Sequence, residues 1–456
     1  MSETVVKEAQ KENKMGVQPI NKLLFGMSVP MMISMLVTAL YNIVDSIFVA
    51  QISENALTAV SLANPIQTLM IALGAGTGVG VNALLSRSLG EKNPKKASDV
   101  AKNGVFVTII CYLIFLCVGL FVVKPFFGAQ TQDTEILECG IEYLTIVCCG
   151  SFGLFGQFIF ERLLQSTGRT LYTMYTQSLG AIINLILDPI FIFGLFGVPA
   201  MGVRGAAYAT ITGQIISGIV AMIVNIKKNT DINLSIKSFS PSFDIIKQIY
   251  KIAIPSIIMQ SIGSVMVFSL NKILIMFSTT ATAVFGVYFK LQSFIFMPIF
   301  GMNNGMVPLV AYNYGAKRKD RMMETYKLAL STAIIIMIVG VVLFESIPDK
   351  LFLLFGASEY MLGMGVPALR IIAFHFPIAA FCIVTGSVFQ AIGKATYSMI
   401  NSICRQLVVL IPSAYLLAQL GNVNFVWFAF LIAEISSMIL TAIFFKKVYR
   451  DVIKPL

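Results

Sequence analysis

Two carboxylates stand where a charge is costly. Asp188 lies in INLILDPIFIFG, residues 183–194, with Asn184 four residues before it and Pro189 directly after it. Asp45 lies in YNIVDSIFVA, preceded by Tyr41 and Asn42. On a helix, spacings of three and four share a face, so Tyr41 and Asn42 accompany Asp45, and Asn184 accompanies Asp188. Acids inside lipid-spanning helices face a cavity or a partner, and they often mark proton or ion paths. Carboxylates, amides and hydroxyls together supply oxygens for a proton or a hard cation such as Na⁺. The chemistry these residue types suit is reversible cation binding.

The elements that must hold them are membrane helices. The chain has 456 residues, 57% hydrophobic and 12% charged, with mean hydropathy +0.83. Soluble domains carry roughly 25% charged residues. The net charge of +11 does not indicate a nucleic-acid partner, because the basic residues sit in short loops between apolar runs. The seven cysteines include no CxxC pair, and His375 is the one histidine, which leaves no zinc set. Residues 1–19 form a polar tail without the apolar core of a signal peptide.

Twelve apolar runs exceed the ~20 residues needed to cross a bilayer. They fall at 20–50, 56–85, 102–123, 136–165, 170–196, 203–226, 244–277, 281–313, 322–345, 361–392, 396–418 and 423–446. Alternate loops are basic: Lys92, Lys95 and Lys96 after the second run, Lys227, Lys228 and Lys237 after the sixth, Lys317 to Arg321 after the eighth, and Lys446, Lys447 and Arg450 at the end. The positive-inside rule places these loops and both termini in the cytoplasm of a multi-pass protein of the cell membrane. The expected organisation is a cytoplasmic tail 1–19, a six-helix bundle 20–226, a cytoplasmic linker 227–243, a second bundle 244–447 and a tail 448–456.

The chain repeats itself. Pro30 pairs with Pro255 and Gly90 with Gly315, both 225 residues apart, and LQSTGRTLYTM (164–174) aligns with FQAIGKATYSM (389–399) at the same offset. Near ITGQIIS and IAEISS the offset slips to 220. Two homologous six-helix halves follow. An even helix number makes them face the same way, so the axis relating them runs along the membrane normal, with a path between them.

Depth then groups the polar residues. Counting ~1.5 Å per residue from the outer ends, Asp45, Asp188 and Thr210 fall at similar depth in the first half. Pro189 frees the carbonyl of Leu185, and Pro30 gives the first span a bend point beside Met31 and Met35, whose thioethers suit loosely specific ligands. In the second half, Lys290 and Glu434 share a depth, predicting an ion pair, with Arg370 and His375 nearby; His375 reads as a packed neutral ring. Glu161 and Arg162 read as interfacial, at the inner end of the fourth span. The glycines of LGAGTGVGVN lack the strand and GK[ST] of a phosphate loop and suit close helix packing.

With the Asn184-to-Gly194 run, SLGEKNPKKA after the second span, GAAYATITGQ on the sixth and VPLVAYNYGAKRKDR after the eighth, the chain resembles the multidrug and toxic compound extrusion (MATE) family over residues 20 to 447. The resemblance implies an all-α membrane protein with twelve transmembrane helices in two bundles and a V-shaped cleft. It implies a cation-coupled exporter working by alternating access. It is similar to the branch with a first-half cation site, which maps onto Asp45, Tyr41, Asn184, Asp188 and Thr210, with Gln157 at the place of an expected asparagine on the fourth span. Pro30 matches that branch's proline. Acids expected in another branch on the seventh and tenth spans have no counterpart here.

The expected function is export of amphipathic, mostly cationic drug-like compounds in exchange for H⁺ or Na⁺. Asp45, Asp188, Asn184, Tyr41, Thr210 and Gln157 would bind the cation, and Pro30, Met31, Asn42 and Met35 would line or gate the path. No cofactor is expected, nor any metal beyond Na⁺. Partners are small molecules and the bilayer, and the chain is expected to act as a monomer. A lipid-linked oligosaccharide flippase of the same superfamily would need a cationic cleft, which the first half lacks. A membrane-embedded enzyme would need a nucleophile with a base, and none is evident.

Overall fold

In the computed structural model the described residues are 13–235 and 239–456. Lys237 of the basic set and residues 1–12 of the N-terminal tail lie outside them. The described chain is helical throughout its regular elements. Among the described residues ten unbroken helices are long and apolar enough to span a bilayer, and two bent pairs, each taken as one span, bring the number to twelve.

In the first half these are α1 (Ile20–Ala50), α2 (Glu54–Gly90), α3 (Pro94–Gly128), α4 (Thr134–Cys149 with Phe152–Ser166), α5 (Thr170–Phe193) and α6 (Val203–Lys228). The second half repeats the series as α7 (Phe243–Leu274), α8 (Thr279–Gly315), α9 (Lys319–Ser346), α10 (Glu359–Ala373 with Phe376–Ala391), α11 (Ala395–Ala418) and α12 (Val423–Ile453). The sequence runs mark where apolar side chains dominate. Helices extend past them, because polar ends such as ASDVAKNG in α3 still satisfy their backbone by winding.

The two bends fall at matching places in the repeat. α4 turns by 42° around Gly150, and α10 by 50° around His375. Pro377 explains the second bend: it has no N–H, so the helix restarts at Phe376 with proline in its first turn. By contrast α1 runs unbroken through the buried Pro30.

The halves meet along α1–α8 and α2–α7, and glycine permits the approach. A Cβ on Gly80 would lie 2.5 Å from the carbonyl oxygen of Ile249, and one on Gly301 would lie 2.5 Å from the Cα of Met32. Near the basic loops the contact is reciprocal. A Cβ on Gly90 would stand 2.0 Å from the Tyr312 carbonyl oxygen, and one on Gly315 would stand 2.2 Å from that of Arg87. These two contacts are related by the 225-residue offset. Residues 74–90 of α2 are nearly all buried, whereas 54–73 are largely not. The cleft between the halves is therefore shut at the basic end and opens at the other.

Candidate functional site

α5 and α6 carry the centre of the site. They approach closely because Gly213 lies against Gly180, where a Cβ would fall 2.6 Å from the carbonyl oxygen. One turn further along α5, Asn184 reaches across: its Nδ2 donates to Thr210 Oγ1 at 3.3 Å and to Asp188 Oδ1 at 3.2 Å. Asn184 and Asp188 are buried. α5 then ends at Gly194, whose φ of +77° is left-handed and whose Cβ would strike the Ala200 nitrogen at 2.6 Å.

α1 packs on α5 and brings the Asp45 carboxyl into the neighbourhood of that of Asp188. Tyr41, one turn before Asp45, is close enough to feel both acids. Three oxygens of this group, Asp45 Oδ1, Asp188 Oδ2 and Asn184 Oδ1, are buried without a hydrogen-bond donor. Unsatisfied acceptors are costly when buried, and a set of them is what a small hard cation or a proton would satisfy.

Of the residues named from sequence, Asp45, Tyr41, Asn184, Asp188 and Thr210 thus come together. Gln157 does not join them. It lies one turn from Glu161, and its amide donates to that carboxylate at 3.1 Å. Asn42 is exposed on α1. Met31 is fully buried, its carbonyl oxygen close to Gly301 of α8, while Met35 is half-buried on α1. Tyr143 of α4 was missed by sequence reasoning. It is buried, accepts from Gln67 Nε2 at 3.1 Å, and lies near both acids. Its signal was faint, because a single tyrosine in an apolar run marks nothing.

The second half corrects one pairing. Glu434 is bonded to Arg405 Nη1 at 3.1 Å, not to Lys290. Lys290 is exposed on α8, its ammonium 6.0 Å from the Phe355 ring. Depth gave the two residues equal height, but Lys290 lies on an exposed face of α8 and Glu434 is buried. Arg405 itself was overlooked as one charge inside the eleventh run. Arg370 is exposed and sits 3.7 Å from Glu345. His375 is the packed ring expected: its Nδ1 lies 2.7 Å from the Ile372 carbonyl oxygen, among Phe296, Phe376 and Phe430. Glu161 is not interfacial but fully buried.

The MatE family model matches residues 30–190 and again 255–416, once on each half and 225 residues apart at the start. The chain belongs to the MatE family. Among curated relatives, the multidrug export protein MepA of Staphylococcus haemolyticus is 27% identical over 416 residues, 91% of each chain. Among solved structures, MATE in complex with MaL6 superposes with a TM-score of 0.92 at 27% identity, over 97% of this chain and 99% of that one. An outward-facing multidrug resistance MATE family transporter of the MOP superfamily gives 0.91 at 27% identity with the same coverage. This MatE chain therefore has the twelve-helix, two-lobe transporter fold.

Proposed function

We propose that this MatE protein exports amphipathic, mostly cationic organic compounds in exchange for H⁺ or Na⁺, with Asp45 and Asp188 as the coupling pair. The observation that carries the proposal is the set of buried acceptor oxygens without donors, Asp45 Oδ1, Asp188 Oδ2 and Asn184 Oδ1, gathered where α1 meets α5. A cation entering from the open end of the cleft neutralises the pair. α1, which brings Asp45, and α5, which brings Asp188, can then close on one another, and the first half repacks toward the shut cleft. Asn184, whose amide donates to both Thr210 Oγ1 and Asp188 Oδ1, orients Asp188, and Tyr41 lies beside the pair.

A tenfold proton gradient supplies ~1.4 kcal/mol per proton, and 100 mV adds ~2.3 kcal/mol per charge, enough for concentrative export with one or two ions. The test is transport of a fluorescent organic cation in vesicles, with a pH gradient or a Na⁺ gradient imposed separately. At least one gradient should drive accumulation, and Asp188→Asn should uncouple it. Export by Asp188→Asn with an unchanged gradient response would refute the role of the pair.

A further inference from the structure

The first half holds a second buried acid that the coupling pair does not explain. Glu161, on the second segment of α4, is 1% exposed. Its Oε1 accepts from Gln157 Nε2 at 3.1 Å, Thr176 Oγ1 at 3.2 Å and Ser217 Oγ at 3.5 Å. Its Oε2 accepts from Gln177 Nε2 at 2.7 Å. These donors come from α4, α5 and α6, and all are neutral. The charged group that bears on Glu161 among the described residues is Arg162, and its guanidinium turns away, donating to Gln165 at 2.8 Å and to Asn304 at 2.9 Å. α2, α3 and α8 also pack on α4, and among the described residues none of them donates a hydrogen bond to the Glu161 carboxylate.

The repeat sharpens the contrast. At the 225-residue offset Glu161 corresponds to Gly386, so the second half has no such carboxyl. Its own buried acid, Glu434, holds a guanidinium. Discharging Glu434 would strand Arg405. Discharging Glu161 strands no bonded cation, because its hydrogen-bond donors are all neutral and Arg162 is held by Gln165 and Asn304. A buried charge without a counter-ion costs several kcal/mol, so a proton is the simplest ligand for this carboxylate.

Glu161 is also wired to α1. Ser34, fully buried and one turn beyond Pro30, donates to Gln177 Oε1. The chain is polarised: Ser34 hydroxyl to Gln177 carbonyl, then Gln177 amide to Glu161. A proton on Oε2 reverses the last bond. The amide must turn to accept from Glu161, its NH₂ then faces Ser34, and the Ser34 hydroxyl must find another acceptor. Gln177 lies on the face of α5 that carries Asn184 and Asp188, about 16 Å from Asp188 at 1.5 Å per residue.

We propose that Glu161 is a second proton-binding station of the first half, nearer the basic end, whose protonation α1 senses through Gln177 and Ser34. This rests on the cation-coupled reading above. A proton taken by the Asp45–Asp188 pair at the open end leaves past Glu161 at the other, and the turn of Gln177 releases α1 where it passes Pro30.

The test uses the full chain in nanodiscs, with spin labels at Leu40→Cys on α1 and Val265→Cys on α7, in an Asp45→Asn/Asp188→Asn background that removes the first station. The α1–α7 distance should still change with pH. Glu161→Gln should abolish the change, Glu161→Asp should retain it at a shifted midpoint, and Ser34→Ala should reduce its amplitude at least twofold. A pH response identical in Glu161→Gln and its parent would overturn the proposal. So would a response to Na⁺ at fixed pH that Glu161→Gln removes, which would make the ligand a metal cation. Failure of gradient-driven transport in vesicles, with the Glu161-dependent distance change intact, would instead sink the coupling reading and leave this station standing.

Discussion

Substituting Gly90 with alanine tests how the cleft is shut. The added Cβ would lie 2.0 Å from the Tyr312 carbonyl oxygen, 2.9 Å from the Tyr312 carbonyl carbon and 3.0 Å from the Ala316 nitrogen. All three are backbone atoms, so no side chain can swing clear. Contacts of this kind are comfortable near ~3.5 Å, and α2 and α8 must therefore part by roughly 1.5 Å. Overpacking a tight interface costs about 1–3 kcal/mol. That cost falls on the form shut at the basic end and not on the form open there, so the ratio of the two should move five- to 150-fold toward opening. Labels at Lys95→Cys and Asp320→Cys, both exposed at that end, would report it as a longer distance population in pulsed electron-spin measurements. Gly263→Ala, whose Cβ meets nothing within 4 Å, is the control. If Gly90→Ala gives the parental distances, or Gly263→Ala gives the same shift, the glycine contact does not set the closed state.

Other outcomes follow from the same structure. Asp45→Asn and Asp188→Asn should each abolish gradient-driven transport, and the double variant should be no worse than either, because the carboxyls act as one unit; additive losses in initial rate would contradict that. Arg405→Ala should lower stability by about 3–5 kcal/mol, since it leaves Glu434 buried and unpaired, whereas Arg405→Met/Glu434→Leu should recover most of the loss, as read by thermal unfolding in detergent. Asp231→Ala removes the partner of Arg169 and of Asn13 in the linker, but the pair is partly exposed and should cost no more than about 1 kcal/mol in the same assay.

The chain's architecture was legible because a bilayer imposes a length on every helix and a charge bias on every loop. The halves were legible because Pro30 and Gly90 recur at one spacing. Within the candidate site, depth along a helix was readable from residue counts, and it set Asp45, Asp188 and Thr210 at one level, with Asn184 one turn from Asp188 on the same face. Rotation about the helix axis was not. Lys290 shares a level with Glu434 yet lies exposed on α8, while Glu434 is buried against Arg405. Glu161 escaped for another reason. An acid next to an arginine at the end of an apolar run looks like a pair in the headgroup region. The 42° bend of α4 and the donors from α5 and α6 make it interior, and those contacts are set by helices distant in sequence.

The reciprocal contact of Gly90 with Tyr312 and of Gly315 with Arg87 carries a history. Such a contact is the signature of two identical subunits joined about a two-fold axis, each patch meeting its own copy. Six crossings return a chain to the side it started from. Two ancestral copies could therefore be joined tail to head by a loop such as 229–242, with no added span and no change in orientation. Fusion then freed the copies to drift apart. A substitution in a homodimer appears twice, but in the fused chain it appears once. One lobe could keep acids without a counter-ion while the other acquired Arg405 to neutralise its own.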